Sequence, residues 1–325
     1  MECVSATLPA MAAPTRISPS KAASNRTRGE RANSDSPAAA SARGGKVGSG
    51  EPNPAAPGSA VITSRENHWL KTFRAALNSP RPEENRIALE GPHLVAEAIR
   101  SGLRIEAILA SASGERHLPA LQAALDHPTL ILRTTDKLFD GLASTETPQG
   151  LAALARAPEY RLEDLLRGAD SLVIVLVAAQ NPGNVGAILR SAEAFGATGV
   201  IATRGTAHPY SPKALRASSG SSLRLPILAE LAPTIALTQL RISGLQILAA
   251  SASQNPNARR PDELDLRAPF ALLIGNEGAG LPPDIERSAD ALIRIQVAAP
   301  VESLNAAVAA SLILYEAARQ RRAKT

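Results

Sequence analysis

From residue 172 onward the chain repeats one pattern: a short apolar run of strand-forming residues, then a segment with helical spacing. The runs fall at Leu172–Val177, Gly199–Ala202, Leu245–Ala250, Phe270–Ile274 and Ala291–Ile295. Strands that alternate with helices pair in parallel, and the crossover helices then cover both faces of the sheet. The fold class is therefore α/β. The chemistry is not decided by that, because doubly wound sheets host many reactions.

A second, smaller α/β/α unit precedes it. Between Val61 and Ala157 the pattern alternates helices (Ser64–Leu77, Pro92–Arg100, Arg116–Leu125) with strands (Arg86–Leu89, Ile105–Ala110, Thr129–Arg133, Gly150–Ala155). The stretch Arg156–Gly168, punctuated by Pro158 and Gly168, reads as the exit from this unit. A chain of 325 residues with 44% hydrophobic content exceeds one typical domain. The expected organisation is a tail over 1–60, a first domain over 61–157 and a second over 158–325.

The tail is rich in Ala, Ser, Pro, Gly and Arg and has almost no large apolar side chains, so burial cannot offset its chain entropy and disorder is expected. It holds seven Lys/Arg against four Asp/Glu, a net +3 of the whole chain's +5. The remaining residues carry only +2, from 28 basic against 26 acidic, so the charge balance says little about the folded part. A basic arm suits salt-sensitive contact with nucleic acid, a solubilising role, or organelle targeting. Glu2, Glu30, Asp35 and Glu51 count against targeting, and the expected location is the cytoplasm.

No apolar run is long enough to span a bilayer, since Leu172–Ala179 and Ala306–Leu314 are both too short. Cys3 stands alone, which rules out a disulfide framework or a cysteine metal site. His68, His93, His117, His127 and His208 show no ligand spacing, and no metal is expected.

Three segments at strand–helix junctions stand out: NPGNVGAILRSAEAFG (181–196), LLIGNEGAGLPP (272–283) and VESLNAAVAASLILYEAAR (301–319). In the first, Val185, Ile188, Leu189, Ala192 and Phe195 follow core-facing helical spacing, which sets Gly186 and Arg190 together on another face. With no side chain at Gly186, the spacing leaves room there for a ligand to meet the Arg190 guanidinium. Asn184 caps free N–H groups or orients a polar partner. Taken alone, a capped helix with a solvated arginine also accounts for this segment.

In the second, Gly275, Gly278 and Gly280 surround Glu277, which allows a sharp turn and close approach to a ligand. A carboxylate is poorly suited to cradling phosphate, and no GxGxxG or GxxxxGK[ST] follows any strand here. An ordinary glycine turn is the plain alternative. In the third, Ser303 is placed as N-cap of a helix that carries Leu304, Val308, Leu312 and Tyr315 on one face. Neither Glu302 nor Asn305 is needed by that stripe.

Taken together, the three segments resemble the motifs of the SpoU (TrmH-type) RNA 2′-O-methyltransferases of the SPOUT superfamily. The first matches in Asn184, Gly186, Arg190, Phe195 and Gly196, the second in Gly275, Glu277, Gly278 and Gly280, and the third in Ser303, Leu304 and Asn305. Tyr210–Ile227 is similar to the family's segment after the first motif, and Val61–Ala157 to its N-terminal substrate-binding domain. The third motif departs from the family: it reads Ile295-Gln296-Val297 with Ala299, where Ile-Pro-Met and a glycine are usual.

The resemblance implies a SPOUT-type parallel sheet with a C-terminal trefoil knot, an exception to unknotted topology. It also implies a homodimer in which each site borrows residues from its neighbour. The cofactor implied is S-adenosylmethionine, contacted by Gly275, Gly278, Ile295 and Leu304. Arg190, Asn184, Glu277, Ser303 and Asn305 form the implied catalytic set, with Asn184 orienting Arg190, and Lys213 and Arg216 face RNA. The reaction implied is in-line methyl transfer to a ribose 2′-hydroxyl, with Arg190 either taking the proton or stabilising the developing alkoxide. Ribosomal RNA is the first substrate implied and transfer RNA the second. With 2% aromatic residues there is no stacking platform from which to read a target nucleotide. A non-catalytic RNA-binding scaffold and a base-methylating SPOUT enzyme are the alternatives, and the first-motif arginine favours ribose.

Overall fold

A computed structural model describes residues 61–251 and 255–323. The expected disordered tail, with Cys3 in it, lies outside the described residues.

The N-terminal part contains, in chain order, β1 (Val61–Ile62), α1 (His68–Asn78), β2 (Arg86–Glu90), α2 (Pro92–Arg100), β3 (Ile105–Ser111), α3 (Leu118–Ala124), β4 (Leu130–Thr134), α4 (Asp136–Asp140) and β5 (Leu151–Arg156). Its sheet has the order β1-β4-β3-β5-β2 and is mixed: β1 and β3 pair with β4 in parallel, whereas β5 runs antiparallel to both β3 and β2. Alternation along the strands sends Ala88, Ala107, Leu109 and Leu154 toward Leu70, Phe73 and Leu77 of α1. Ile87, Leu89, Ile108 and Ala153 face the other way, beside Leu94 and Val95 of α2.

After α5 (Leu162–Leu165) come β6 (Leu172–Leu176), α6 (Pro182–Ala194), β7 (Gly199–Thr203), α7 (Pro212–Ser218), β8 (Ile227–Leu231), α8 (Pro233–Ile242), β9 (Gln246–Ala250), β10 (Phe270–Ile274), α9 (Pro283–Arg287), β11 (Ala291–Ile293) and α10 (Ala306–Arg322). The second sheet runs β11-β9-β10-β6-β7-β8, parallel at every pairing. Strand β8 is a sixth member that its sequence does not announce: only Ile227 in it is fully buried, because it occupies the edge.

All five residues of β6 and of β10 are buried, with each large apolar side chain contributing about 1.5–3 kcal/mol. Leu172, Ile174 and Leu176 pack toward α6 and α10, while Val173, Val175 and Val177 pack toward α8 and α9. The first of these cores does not stop at the second sheet. It includes Leu89 and Ala153 from the first sheet as well as Leu215 and Leu223 beyond it. Ionic ties reinforce the contact: Arg224 forks onto Glu193 of α6 at 2.5 and 2.8 Å and reaches Glu97 of α2 at 2.6 Å. That hydrogen-bonded fork holds the Glu193 carboxyl below its usual range.

The strand order reverses at the paired central strands β6 and β10, running to β7 and β8 on one side and to β9 and β11 on the other. Crevices at the carboxyl ends of strands beside such a switch point are where α/β sheets bind ligands.

Candidate active site

A cavity of about 210 Å³ opens at the carboxyl ends of β9, β10 and β11. Its floor and walls combine apolar side chains, among them Ile274, Ile293, Ile295 and Ile313, with the Gly275–Gly278 turn and Ser303 and Leu304. The turn after β10 is tight: Asn276 and Gly280 exchange both backbone hydrogen bonds at 2.9 Å. A Cβ on Gly275 would lie 2.4 Å from the Gly280 carbonyl carbon, so no other residue fits there without opening the turn. The Asn276 side chain closes it further, accepting from the N–H groups of Gly278 and Ala279 and donating to the Ala178 carbonyl at 2.9 Å.

At the rim, one hydrogen-bond chain joins the three loop segments. Asn184 Nδ2 donates to Glu277 Oε1 at 2.9 Å, and Asn305 Nδ2 donates to Asn184 Oδ1 at 3.0 Å. Glu277 also accepts from the N–H groups of Gln180 and Asn181, each at 3.3 Å. Burial pushes the Glu277 carboxyl up, but these donors, with its own N–H, outweigh burial and hold it below the usual carboxylate range. The rim therefore carries a fixed negative charge.

The structure thus brings Asn184, Glu277 and Asn305 into direct contact and places Glu277, Ser303, Gly275, Gly278, Ile295 and Leu304 on the cavity wall. Other expectations need correction. Ser303 does not cap α10; Asn305 does, accepting from Ala307 N–H at 2.8 Å and Val308 N–H at 3.3 Å. Asn184 caps nothing and is not bonded to Arg190. The cap of α6 is Asn181, which accepts from Gly183 N–H at 2.9 Å, and Asn184 is free to orient Glu277 because its helix start is already satisfied.

Gly186 offers no room for a ligand. A Cβ there would lie 2.5 Å from both the Ala214 carbonyl oxygen and the Ala217 Cβ, so the missing side chain serves the close packing of α6 on α7. Arg190 is exposed, donates to Ser219 Oγ at 3.3 Å and is not part of the cavity wall. Arg216 is turned inward: it donates to Ser144 Oγ at 2.6 Å and lies 3.6 Å from the buried Glu90 carboxylate, which also accepts from the Ser144 N–H at 3.0 Å. Lys213 is exposed on the same helix.

This arrangement has close counterparts. Residues 171–315 match the SpoU rRNA Methylase family, and residues 76–153 match the MRM3-like substrate binding domain. An uncharacterized tRNA/rRNA methyltransferase of Mycolicibacterium vanbaalenii is 34% identical over 263 residues, covering 78% of this chain and 82% of the relative. The 23S rRNA (guanosine(2553)-2'-O)-methyltransferase RlmP of Bacillus subtilis is 29% identical over 255 residues, covering 78% of this chain and 97% of the relative. The chain belongs to the SpoU rRNA methylase family. Its fold agrees: the AdoMet-bound rRNA methyltransferase from Sinorhizobium meliloti superposes with a TM-score of 0.71 at 29% identity, over 80% of this chain and 97% of that one.

Within this SpoU methylase, sequence reasoning missed Asn181, Asn276 and Ser219. Asn181 was findable, since an Asn directly before a Pro at the first helical position is a capping signature. Asn276 and Ser219 act across long sequence separations, on Ala178 and Arg190, and nothing local marks them. Among the described residues no group of three or more His, Cys, Asp or Glu is placed to hold a metal ion, and no helix is long and apolar enough to cross a membrane.

Proposed function

We propose that this chain transfers the methyl group of S-adenosylmethionine to a ribose 2′-hydroxyl of RNA, with ribosomal RNA the first substrate and transfer RNA the second. The observation that carries the reading is the Asn184–Glu277–Asn305 chain, which ties three separate sequence motifs to the rim of one glycine-walled cavity. The names of the Bacillus and Sinorhizobium proteins support ribosomal RNA.

The cavity suits the cofactor chemically. Its apolar wall accepts an adenine face, its turn exposes main-chain groups, and the acidic Glu277 and Glu302 favour a ligand carrying positive charge. Gly275, Gly278, Ile295 and Leu304 hold S-adenosylmethionine, which when bound supplies an electrophilic methyl group. Gln296 and Ala299, where the family usually has proline and glycine, lie off the wall and leave it intact. Asn184 and Asn305 keep Glu277 oriented, and Ser303 shapes the entrance.

Arg190 stabilises the alkoxide that develops on the ribose oxygen, acting from a second copy of the chain. Two features support that placement. Along the exposed side of α10, Val308, Leu312 and Tyr315 are 48%, 45% and 51% exposed, a stripe of large apolar side chains suited to a homodimer. Helix α6, which carries Arg190, packs beside that stripe through the Ser191–Ser311 hydroxyl pair at 2.7 Å and the edge-on contact of Phe195 with Tyr315. The reading includes a C-terminal trefoil knot, a cytoplasmic location and no metal.

Calorimetry with S-adenosylmethionine tests it first: absence of binding at high ligand concentration would favour the scaffold alternative. Mapping ribose methylation in total RNA with and without the gene then names the nucleotide, and an unchanged map would refute the enzymatic reading.

A further inference from the structure

Where α7 ends, the backbone is left-handed at two consecutive residues, Ser219 at φ +48° and Gly220 at φ +89°. Glycine adopts that conformation freely, whereas a residue with a Cβ is strained in it. At Gly220 the glycine is required on a second count, because a Cβ there would lie 3.0 Å from the Glu97 side chain. At Ser219 the chain carries a side chain where glycine would fold more easily.

The surroundings hold Ser219 in that conformation from several sides. Gly186 lets α7 close on α6, since a Cβ there would meet the Ala214 carbonyl oxygen at 2.5 Å and the Ser218 nitrogen at 2.9 Å. Ser218 is fully buried, and its hydroxyl donates to the Leu215 carbonyl at 2.9 Å and accepts from the Ser222 hydroxyl at 2.9 Å. Arg216, itself tied to Ser144 and Glu90, accepts the Ser219 N–H on its carbonyl at 3.1 Å. Strained residues persist where their neighbours over-determine them, and they gather at functional sites.

None of these anchors uses the Ser219 hydroxyl. Among the described residues that hydroxyl bonds with Arg190, accepting from Nη1 at 3.3 Å. Arg190 follows Gly186 by one helical turn on the same face of α6, so the close approach at Gly186 delivers the end of α7 to the guanidinium. An exposed arginine otherwise samples many rotamers, and each fixed one is entropically costly. Anchored at Nη1, the guanidinium keeps Nε and Nη2, which make no hydrogen bond among the described residues, for an oxygen from outside the chain.

We propose that Ser219 is a positioning residue: its hydroxyl holds the Arg190 guanidinium ready for the developing alkoxide, and the left-handed backbone at Ser219 places the hydroxyl there. The proposal rests on the reading of Arg190 as the group that stabilises that alkoxide. Its test is methyl transfer from S-adenosylmethionine to total RNA from cells lacking the gene, catalysed by the full chain and its variants. Ser219→Gly removes the hydroxyl and relieves the backbone, so it is expected to melt at or above the wild-type temperature while kcat falls about tenfold. Its S-adenosylmethionine affinity by calorimetry is expected to match that of the unmodified chain, because Ser219 lies off the cavity wall. Ser219→Asn tolerates the left-handed region and offers an amide oxygen as acceptor, and it is expected to keep most of the rate. In an Arg190→Ala background, Ser219→Gly is expected to cause no further loss. Wild-type kcat in Ser219→Gly overturns the proposal, and so does an equal further loss in the Arg190→Ala background. Melting temperature and rate that fall together, without rescue by asparagine, assign Ser219 a purely structural role and overturn it as well. Absence of methyl transfer by the unmodified chain, or an undiminished rate in Arg190→Ala alone, overturns the underlying reading instead.

Discussion

Helix α10 begins at the rim of the glycine-walled cavity and continues along an exposed face, and the two regions it joins are built in opposite ways. At the rim the polar groups satisfy one another: Asn305 caps the helix and holds Asn184, which holds Glu277. Along the outer face, Val308, Leu312 and Tyr315 meet solvent, and among the described residues Arg190 on the neighbouring helix α6 bonds with the Ser219 hydroxyl alone. A region satisfied within one chain is ready to bind; a region left apolar and under-bonded calls for another surface. Under the proposed reading, cofactor binding and catalysis are separable, the first belonging to a single chain and the second to a pair.

The largest effect that would break this comparison is on turnover. Arg190→Ala is expected to lower methyl transfer by roughly 10²–10³-fold, the usual loss when one group stabilising a developing oxyanion is removed. Cofactor affinity measured by calorimetry should not change, and a parallel loss of binding would place Arg190 in the cavity of its own chain. Next comes assembly. Leu312→Glu puts a charge into the apolar stripe and is expected to give monomers in sedimentation equilibrium, with activity falling alongside the dimer fraction.

Mixing sharpens the point: Arg190→Ala chains combined with Gly275→Ala chains should regain activity, since one of the two sites then pairs an intact cavity with an intact guanidinium. Gly275→Ala by itself forces a Cβ to 2.4 Å from the Gly280 backbone. Overpacking of this kind costs about 1–3 kcal/mol, so S-adenosylmethionine binding is expected to weaken about tenfold.

The smallest effect concerns acid. The Glu277 carboxyl is held below its ordinary value, so its contribution to stability is present in full above the unfolded pKa and is lost as pH falls through the folded one. In Glu277→Gln that acid-side loss is expected to disappear from thermal melts compared with the wild-type chain. Identical pH profiles would show that the rim hydrogen bonds do not favour the carboxylate.

Much of this was open to reading in advance. The apolar runs located the strands at Leu172–Leu176 and Phe270–Ile274 because buried parallel strands have little else to be made of. The edge strand β8 escaped because it is only half buried and lacks such a run. The second and third loop segments were legible as strand–helix junctions beside a crevice, and the cavity wall includes Gly275, Gly278, Gly280 and Leu304. Two inferences of detail went astray for a shared reason. Helical spacing placed Gly186 and Arg190 on one face correctly, but it carries no information on what packs against that face, and α7 occupies it. Capping preference likewise allowed Ser303 and Asn184, but the N–H groups went to Asn305 and Asn181.

By itself, then, the sequence determined the periodicities, the glycines a tight turn demands and the residue types gathered around one cavity, because these follow from local backbone geometry and burial. Only the tertiary structure decided who bonds with whom: that Asn184 serves Glu277 and not Arg190, that Arg216 is spent on Glu90, and that Arg190 stays outside the cavity of its own chain. Those pairings join residues tens to more than a hundred positions apart, and hydrogen bonds of that range are set by how the sheets and helices close on one another.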